Sequence, residues 1–440
     1  MIKKILHLRD MGKPYKSYLP EQELLLPPSL RDWLPDDHLA FFVSDLVDEL
    51  DLSAITAVYE TDDRGQPPYH PAMMTKLLVY GYCIGVFSSR KIARRVSEDV
   101  AFRVLAAGNM PDFRMIADFR KIHLAALEGL FTQVLQVARE AGALHVGRVA
   151  IDGSKVKANA SKHKAMSYDR MQEREATLAA EVRHLLTQAE ATDAQEDAAH
   201  GGQGGEDVPA ELRRRETRIA RIREAKRVLE GRAKQQAHAD GKPAEGAKPE
   251  DKAQYNFTDP ESRIMKGPEG FVQAYNAQLA VESVCQLIVG QAVTQEANDK
   301  QQLAPMVETV TAQFGEHPTQ VLADSGYCSD ANLGSTAAAG IDAYIATERT
   351  KHSQGDRLSA RGPLPKNATL TDRMRRKLQT KRGKAVYRLR KAIVEPVFGQ
   401  IKHARGFRQF LLRGFRKVQA EWALVCLGHN VLKMHGLCYA

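Results

Sequence analysis

The chain has 440 residues, of which 43% are hydrophobic, and its formal net charge is +9. A chain this long and this apolar can bury a sizeable core in two or three structural units, which excludes a globally disordered protein. The basic balance favours a polyanionic partner and makes nucleic acid the leading candidate, although a merely soluble basic protein would have the same charge.

The cysteines and the N-terminus predict a cytosolic protein. The cysteine count is odd and no pair has metal-ligand spacing, so we expect free thiols in a reducing compartment and no zinc site. The apolar run in MIKKILHLRD is too short for a signal peptide. No stretch of about 18 apolar residues occurs, so no membrane span is expected.

Residues 1–144 are predicted to form an all-α domain. Helical patterns cover 70–87, 90–97, 101–106 and 115–141, and Pro71 suits the first turn of the first of these helices. Short helices joined by tight turns are typical of a helix-turn-helix unit that docks on DNA. A plain helical bundle fits the pattern at least as well.

The hydrophobic period changes at residue 145, where HVGRVAID alternates as a strand does. Residues 165–253 are rich in Ala, Glu, Arg, Gln and Lys, and they predict a helical hairpin with helices near 168–191 and 209–236. A Gly/Asp-rich loop at 200–207 would join them. The hairpin is either a solvated spacer, which we favour slightly, or an arm that binds DNA or a partner.

Strand patterns return after residue 270 and then alternate with helices. Strands are predicted in FVQAYNAQLAVES, QLIVGQAVT, TQVLADSGY and DAYIATE, with helices near 299–314 and 329–339 and a basic helical C-terminus. This order predicts an α/β fold, an RNase H-like mixed sheet with helical cover and an insertion after the first strand. This domain would span 145–440, interrupted by the insertion at 165–253.

Two aspartates end predicted strands. Asp152 ends VAID and is followed by Gly153, and Asp324 ends VLAD. An acid after an apolar strand is held at the rim of the sheet, and a following glycine lets the chain turn away and leaves the carboxylate accessible. Either aspartate can instead cap a turn. Asp299 is a rival second carboxylate, which we expect to cap a helix near residue 300.

Glu395 lies among apolar residues in YRLRKAIVEPVFGQIKHARGF, which predicts a buried acid that is paired, protonated or bound to metal. On a continuous helix it shares a face with Lys391, Phe398 and Lys402. A helix that begins at Pro396 would leave Lys391 off that face. A surface ion pair between Lys391 and Glu395 is the plain alternative.

Basic residues crowd the C-terminal region. Ten Lys and Arg residues and no acid occur between Arg373 and Lys391, and the run continues from Lys402 to Lys417. Uniform positive charge over this length is typical of a phosphate-binding surface. A solvated helix face usually mixes both signs, so the run favours contact with DNA.

The segments IDGSKVKANAS, LADSGY and YRLRKAIVEPVFGQIK resemble the three catalytic blocks of bacterial insertion-sequence DDE transposases. The segment from YHPAMM to DFR resembles their N-terminal domain, and the resemblance covers roughly 70–170 and 255–435. It implies an RNase H-like core, Mg²⁺ or Mn²⁺, and cut-and-join chemistry at terminal inverted repeats. It also implies a homo-oligomer acting on paired DNA ends.

The resemblance assigns catalysis and metal binding to Asp152, Asp324 and Glu395. Lys402 matches a family lysine near the DNA backbone. The family's tyrosine and arginine positions fall here on Arg388 and Lys391, and Tyr387 and Arg390 stand one residue earlier. The residues predicted to contact DNA are Lys402, Lys391, Arg390, Arg388, Tyr387, Lys155 and Lys157.

The predicted function is therefore that of a DNA transposase. It would cleave at the terminal inverted repeats and transfer strands into target DNA, in the cytoplasm and associated with the nucleoid. The alternatives are an RNase H-like nuclease and a domesticated DNA-binding protein, neither of which transfers strands.

Overall fold

The computed structural model describes most of the chain. The described residues are 29–59, 67–200, 210–239, 241–267, 270–348, 362–365 and 367–439. The segment MIKKILHLRD and nearly all of the loop predicted at 200–207 lie outside them.

The N-terminal part of the described chain is helical, as predicted. Its helices are α1 (Leu39–Asp48), α2 (Ser53–Thr56), α3 (Pro71–Cys83), α4 (Ser89–Glu98), α5 (Val100–Leu105), α6 (Phe113–Ile122) and α7 (Leu124–Glu140). The single helix predicted over 115–141 is wrong, because the chain breaks at His123 between α6 and α7. His123 is buried, and its Nε2 lies 2.8 Å from the Tyr59 hydroxyl, a contact between distant segments that no helical period reveals.

The strands form a mixed sheet, which confirms the predicted α/β class. They are β1 (Arg148–Lys157), β2 (Ala165–Ser167), β3 (Gln254–Asn256), β4 (Arg263–Gly267), β5 (Gly270–Glu282), β6 (Ile288–Thr294), β7 (Gln320–Ala323) and β8 (Asp342–Ile345). Within the described ranges the main sheet has the order β4-β5-β1-β7-β8, and β6 also pairs with β5. β7 runs parallel to β1 and β8, and the β5 pairings are antiparallel. This arrangement is consistent with an RNase H-like sheet.

Strand β4 and the separate β2–β3 pair were not predicted. They are short, and their residues do not show the sustained alternation that marks a strand in sequence. They form strands because neighbouring segments supply hydrogen-bond partners; β4, for example, pairs with residues 270–274 of β5.

Helices on the C-terminal side cover the sheet. They are α10 (Leu303–Phe314), α11 (Asp330–Ala338), α12 (Leu370–Gln379), α13 (Lys381–Gly399) and α14 (Phe415–Cys438). α14 packs against α3, α7 and β6, and one apolar core runs from the N-terminal helices through the sheet. The proposed domain boundary at residue 144 falls between α7 and β1.

Polar side chains on α14 attach it to the sheet. Asn430 accepts a hydrogen bond from the Ile288 amide at 2.8 Å and donates to the Ile288 carbonyl at 2.9 Å. Trp422 Nε1 donates to the Gln278 carbonyl at 3.2 Å. These bonds satisfy buried polar groups and set the register of the helix on the sheet.

Two long helices, α8 (Tyr168–His200) and α9 (Ala210–Ala239), occur between β2 and β3 in chain order. They pack on each other around a second, smaller apolar cluster. Its buried members are Tyr168, Met171, Leu178, Ile219, Ile222, Ala225 and Leu229.

Glu421 is a buried acid on α14. Its carboxylate accepts hydrogen bonds from the amides of Leu411 and Leu412, at 3.1 and 3.0 Å. Burial raises its pKa to about 7, although these amides and the charge of Arg120 act in the opposite direction. The folded protein therefore favours the protonated form.

We predict that Glu421 makes the protein less stable as the pH rises. Between its ordinary pKa of 4.5 and about 7, the folded state holds a proton that the unfolded state has released, so the free energy of unfolding falls with pH. Urea unfolding from about pH 5 to about pH 8 should show Glu421→Gln gaining up to about 3 kcal/mol relative to the wild type across this range. Equal pH slopes for the two proteins would contradict the assignment.

Candidate active site

Asp152 and Asp324 lie side by side where β7 ends. β1 and β7 are parallel neighbours whose register pairs Ile151 with Ala323, so the two aspartates are the next residues on each chain. Neighbouring strands are about 4.8 Å apart, which brings the two carboxylates within reach of a shared partner.

β1 does not end at Asp152, which corrects the turn predicted at Gly153. The strand continues to Lys157, because β5 pairs with it along its whole length and places Gln278 opposite Gly153. The glycine is needed for another reason. A Cβ at this position would collide with Gln278 Nε2 and lie 2.7 Å from Asp299 Oδ1.

Asp299 lies against β1 and β5 and not at the start of a helix. α10 begins at Leu303 after Gln302, so the helix cap expected near residue 300 is wrong. Asp299 Oδ1 instead accepts hydrogen bonds from Asn276 Nδ2 at 2.6 Å and Gln278 Nε2 at 2.7 Å. These amides draw the carboxylate against β1 and β5.

A polar network therefore lies beside the two strand-end aspartates. Lys155 Nζ is 3.5 Å from Asp299 Oδ1, and the Tyr327 hydroxyl donates to Gln278 Oε1. Asn276 and Gln278 are completely buried. The sequence does carry a signal for this network, because two amides alternate on one face of the otherwise apolar strand AYNAQL, and buried amides require partners.

Burial sets the protonation of Asp152. It raises the pKa of this carboxyl to about 6, and the negative charge of Asp324 acts in the same direction. Arg390 opposes both, since its Nη1 lies 3.0 Å from Asp152 Oδ2. Burial also raises the pKa of Tyr327 well above its usual value, so its hydroxyl remains a donor.

Glu395 is exposed, which corrects the prediction of a buried acid. Half of its side chain, 51%, is accessible, while its neighbours Ile393 and Val394 are buried. Successive residues point in different directions around a helix, so an acid inside an apolar run can still face outward. Its carboxylate pairs with Arg390 Nη2 at 3.3 Å, and not with Lys391.

One guanidinium thus joins Asp152 to Glu395. Arg390 is 9% exposed, and burial alone would lower its pKa, but the surrounding acids outweigh burial and raise it. Tyr387 lies beside Arg390 and is half-buried, which raises the pKa of its hydroxyl. Both residues face the acids although they stand one residue from the family positions.

α13 runs through Pro396 and does not begin there. A proline has no N–H, so the carbonyl of Ala392 loses its helical donor. Gln286 Nε2 supplies the missing hydrogen bond at 2.9 Å. The helix then widens into a π-helical turn over Gln400–Ala404.

This turn carries Lys402 back to β1. Its Nζ contacts Ser154 Oγ and lies 3.1 Å from the Lys155 carbonyl. Burial lowers the pKa of Lys402 to about 8, the charge of Lys155 lowers it as well, and Asp152 acts in the opposite direction. Lys402 is therefore a half-buried cation at the strand that carries Asp152.

The other predicted DNA contacts are more peripheral. Arg388 and Lys391 are exposed on the same side of α13 as Glu395. Lys157 is exposed at the end of β1, where its backbone pairs with the segment before α14. Tyr387, Arg390, Lys402 and Lys155 are the predicted contacts that the structure gathers around the aspartates.

Acids neutralise part of the basic run. Lys377 Nζ lies 2.5 Å from Asp342 Oδ1. Arg375 pairs with Asp372 at 2.9 Å and with Glu348 at 2.8 Å. The run is uniformly positive in the sequence, but some of its cations are neutralised by acids in the folded protein.

The donors match the preference of a hard divalent cation, since Asp152, Asp324 and Glu395 all offer carboxylate oxygens. Their arrangement is that of two adjacent aspartates with Glu395 linked through Arg390. Within the described ranges, no three His, Cys, Asp or Glu side chains converge closely enough to hold a metal ion. The residue types fit such an ion, and Glu395 would have to approach the aspartates to share it.

Two family models match the chain. Residues 28–122 match a transposase domain (DUF772), and residues 348–435 match a transposase DDE domain. Both matches support the assignment of the chain to the insertion-sequence DDE transposases. The second match contains Arg390, Glu395 and Lys402, whereas Asp152 and Asp324 lie between the matched segments. No curated protein and no solved structure matches the chain.

The matched transposase domains support a role in DNA transposition, and they imply an enzyme that acts on nucleic acid with DNA as its partner. None of the helices in the described ranges combines the length and the apolar character that a membrane crossing requires.

We predict that Gly153→Ala destabilises the transposase by about 1–3 kcal/mol, because the new methyl group must displace Gln278 and Asp299. Gly129→Ala is the matched control, since a Cβ there meets nothing within 4 Å and alanine favours the helix α7. Urea unfolding of both variants measures the difference. A Gly153→Ala variant as stable as the control would contradict the close packing described here.

We also predict that Gln286 and Pro396 are coupled. Gln286→Ala should cost about 0.5–1 kcal/mol because the exposed Ala392 carbonyl exchanges its donor for water. In a Pro396→Ala background the restored N–H can bond that carbonyl, so most of this cost should disappear.

A double-mutant cycle by urea unfolding measures this coupling. Lys433→Ala serves as the control, because it removes another partner of Gln286, 2.8 Å from its Oε1, without touching Ala392. Additive effects of Gln286→Ala and Pro396→Ala would show that proline does not explain the contact.

Proposed function

We propose that the transposase cleaves DNA at terminal inverted repeats and transfers the released ends into target DNA, with Asp152, Asp324 and Glu395 as its catalytic carboxylates. The observation that carries this proposal is the parallel register of β1 and β7, which puts Asp152 beside Asp324. The link through Arg390 adds Glu395 to the pair.

These three residues would hold Mg²⁺ or Mn²⁺. When bound, such ions would activate an attacking oxygen and stabilise a leaving oxygen in phosphodiester chemistry. Arg390 places positive charge 3.0 Å from the Asp152 carboxylate, which offsets part of the negative charge gathered there.

The proposed chemistry has two steps. In the first, water attacks the scissile phosphorus, the bond to the 3′ oxygen breaks, and the end is released as a 3′ hydroxyl. In the second, this hydroxyl attacks a target phosphodiester, and one P–O bond forms as another breaks. The number of phosphodiester bonds is conserved in the second step, so strand transfer needs no external energy source.

The basic residues would hold the DNA backbone through this sequence. Lys402 and Lys155 lie along β1 next to Asp152, and Arg390 and Tyr387 approach it from α13. The exposed Arg388, Lys391 and Lys157 would extend the surface outward. Arginine and lysine contacts to phosphates position DNA without reading its sequence.

The transposase would act as a homo-oligomer on paired ends in the cytoplasm, associated with the nucleoid. A nuclease with the same acids would stop after the first step. A strand-transfer assay on a duplex that carries an element end distinguishes the two, because only a transposase joins the cleaved strand to a second DNA.

We predict that Asp152→Asn, Asp324→Asn and Glu395→Gln each reduce cleavage and strand transfer by about a thousandfold or more, because the acids act as a unit. The matched controls are Asp45→Asn and Glu308→Gln, which change exposed acids on α1 and α10. The assay uses end-containing duplex DNA with Mg²⁺ and with Mn²⁺.

Binding of the same duplex without divalent metal should persist in all of these variants and reports that they fold. If Asp152→Asn cleaves as the wild type does, the proposed catalytic role of this residue is lost. If the wild type cleaves and never joins, the nuclease alternative replaces strand transfer.

A further inference from the structure

A basic cleft opens at the base of the α8–α9 pair, away from the acids. Its volume is about 730 Å³, and β2, the turn before it and the segment after β3 complete its walls. The basic residues that line it are His163, Lys164, Arg170, Arg174, Arg218 and Arg221. The remaining lining residues are uncharged, so no acid lines the cleft in the described part of the chain.

The position of these cations is set by rigid structure. Arg170 and Arg174 lie one turn apart on α8, about 6 Å along its axis. Arg218 and Arg221 flank the buried Ile219 and Ile222 side chains on α9. The apolar cluster between the helices therefore presents four arginines to one space.

Two acids of these helices pair with cations that do not line the cleft. Glu175 pairs with Arg223 and Lys226, each at 2.8 Å. Glu181 pairs with Arg215 at 2.9 Å.

By contrast, Arg170, Arg174, Arg218 and Arg221 have no ion pair within the ranges that the structure describes. Three of the four are exposed and the fourth, Arg174, is half-buried.

Cations that share a concave space and form no ion pair repel one another, and a polyanion relieves that repulsion. Duplex DNA carries one negative charge per about 1.7 Å of its axis, so a backbone that crosses the cleft meets several cations at once. Phe257, 37% exposed in the same wall, adds an apolar surface that a sugar or base can contact.

We propose that this cleft binds the phosphate backbone of duplex DNA, as a second contact separate from the carboxylate site. The inference rests on the proposed function, in which DNA is the substrate, and deepens it by assigning a DNA-binding role to the α8–α9 pair. Phosphate contacts do not depend on sequence, so the cleft adds affinity for any duplex and does not select the terminal repeats.

The test compares two full-length variants with the same change in charge. The cleft variant is R170Q/R174Q/R218Q/R221Q. The control is R183Q/R214Q/R223Q/R227Q, which removes four arginines that lie on the same two helices but do not line the cleft. In this control Glu175 retains its ion pair with Lys226. Fluorescence anisotropy measures binding of a random-sequence duplex without divalent metal at several salt concentrations.

We expect the cleft variant to lose at least about tenfold in affinity and to flatten the dependence of log K on log salt by up to about 4 in slope. The control should change affinity by less than about threefold. The charge-retaining variant R170K/R174K/R218K/R221K should bind as the control does, since lysines also contact phosphates. Thermal melts of all three variants show whether each is folded.

The proposed DNA-binding role of the cleft is contradicted if the cleft variant binds DNA as tightly as the control. It is also contradicted if both variants weaken equally, because the effect would then follow net charge alone. A lysine variant that fails to bind while melting as the wild type does also overturns it. Cleavage of end-containing DNA by the wild type is measured in parallel. If the wild type does not cleave this DNA, the proposed function is refuted. If the wild type cleaves and the cleft variant binds DNA as the control does, only the role of the cleft is refuted.

Discussion

The parallel pairing of β1 with β7 imposes the constraint on which the rest of this site depends. It forces Asp152 and Asp324 together at the end of β7, where burial and the charge of Asp324 both raise the pKa of Asp152. A folded protein tolerates such a pair only with a compensating positive charge. Arg390 provides this charge, and it is itself kept charged by the acids although burial opposes it.

The path of α13 is irregular after Arg390. The helix passes through Pro396, and the carbonyl that proline leaves without a donor is satisfied by Gln286 from the turn between β5 and β6. The π-helical turn that follows returns Lys402 to β1. α13 and the turn after it therefore bring Arg390 and Lys402 to the strand that carries Asp152, and Arg390 also pairs with Glu395.

Positive charge in the sequence and positive charge available to a ligand are different quantities in this protein. In the folded protein, Arg375 and Lys377 of the basic run form ion pairs with acids, so part of its charge is neutralised. These acids are Asp342, Asp372 and Glu348. The sparser arginines of α8 and α9 form a cleft whose lining holds no acid among the described residues. Which cations remain unpaired depends on contacts between distant segments, and composition does not record those.

The sequence by itself determined the α/β class, the helical N-terminal region, the strands that carry Asp152 and Asp324 and the resemblance to the transposase family. These follow from local hydrophobic period and from short motifs, both of which are written along the chain. Tertiary structure decided the exposure of Glu395, the break at His123 and the position of Asp299 against β1 and β5. It also decided which strands are neighbours and which charges meet, because burial and ion pairing depend on segments that are far apart in sequence and adjacent only after the chain has folded.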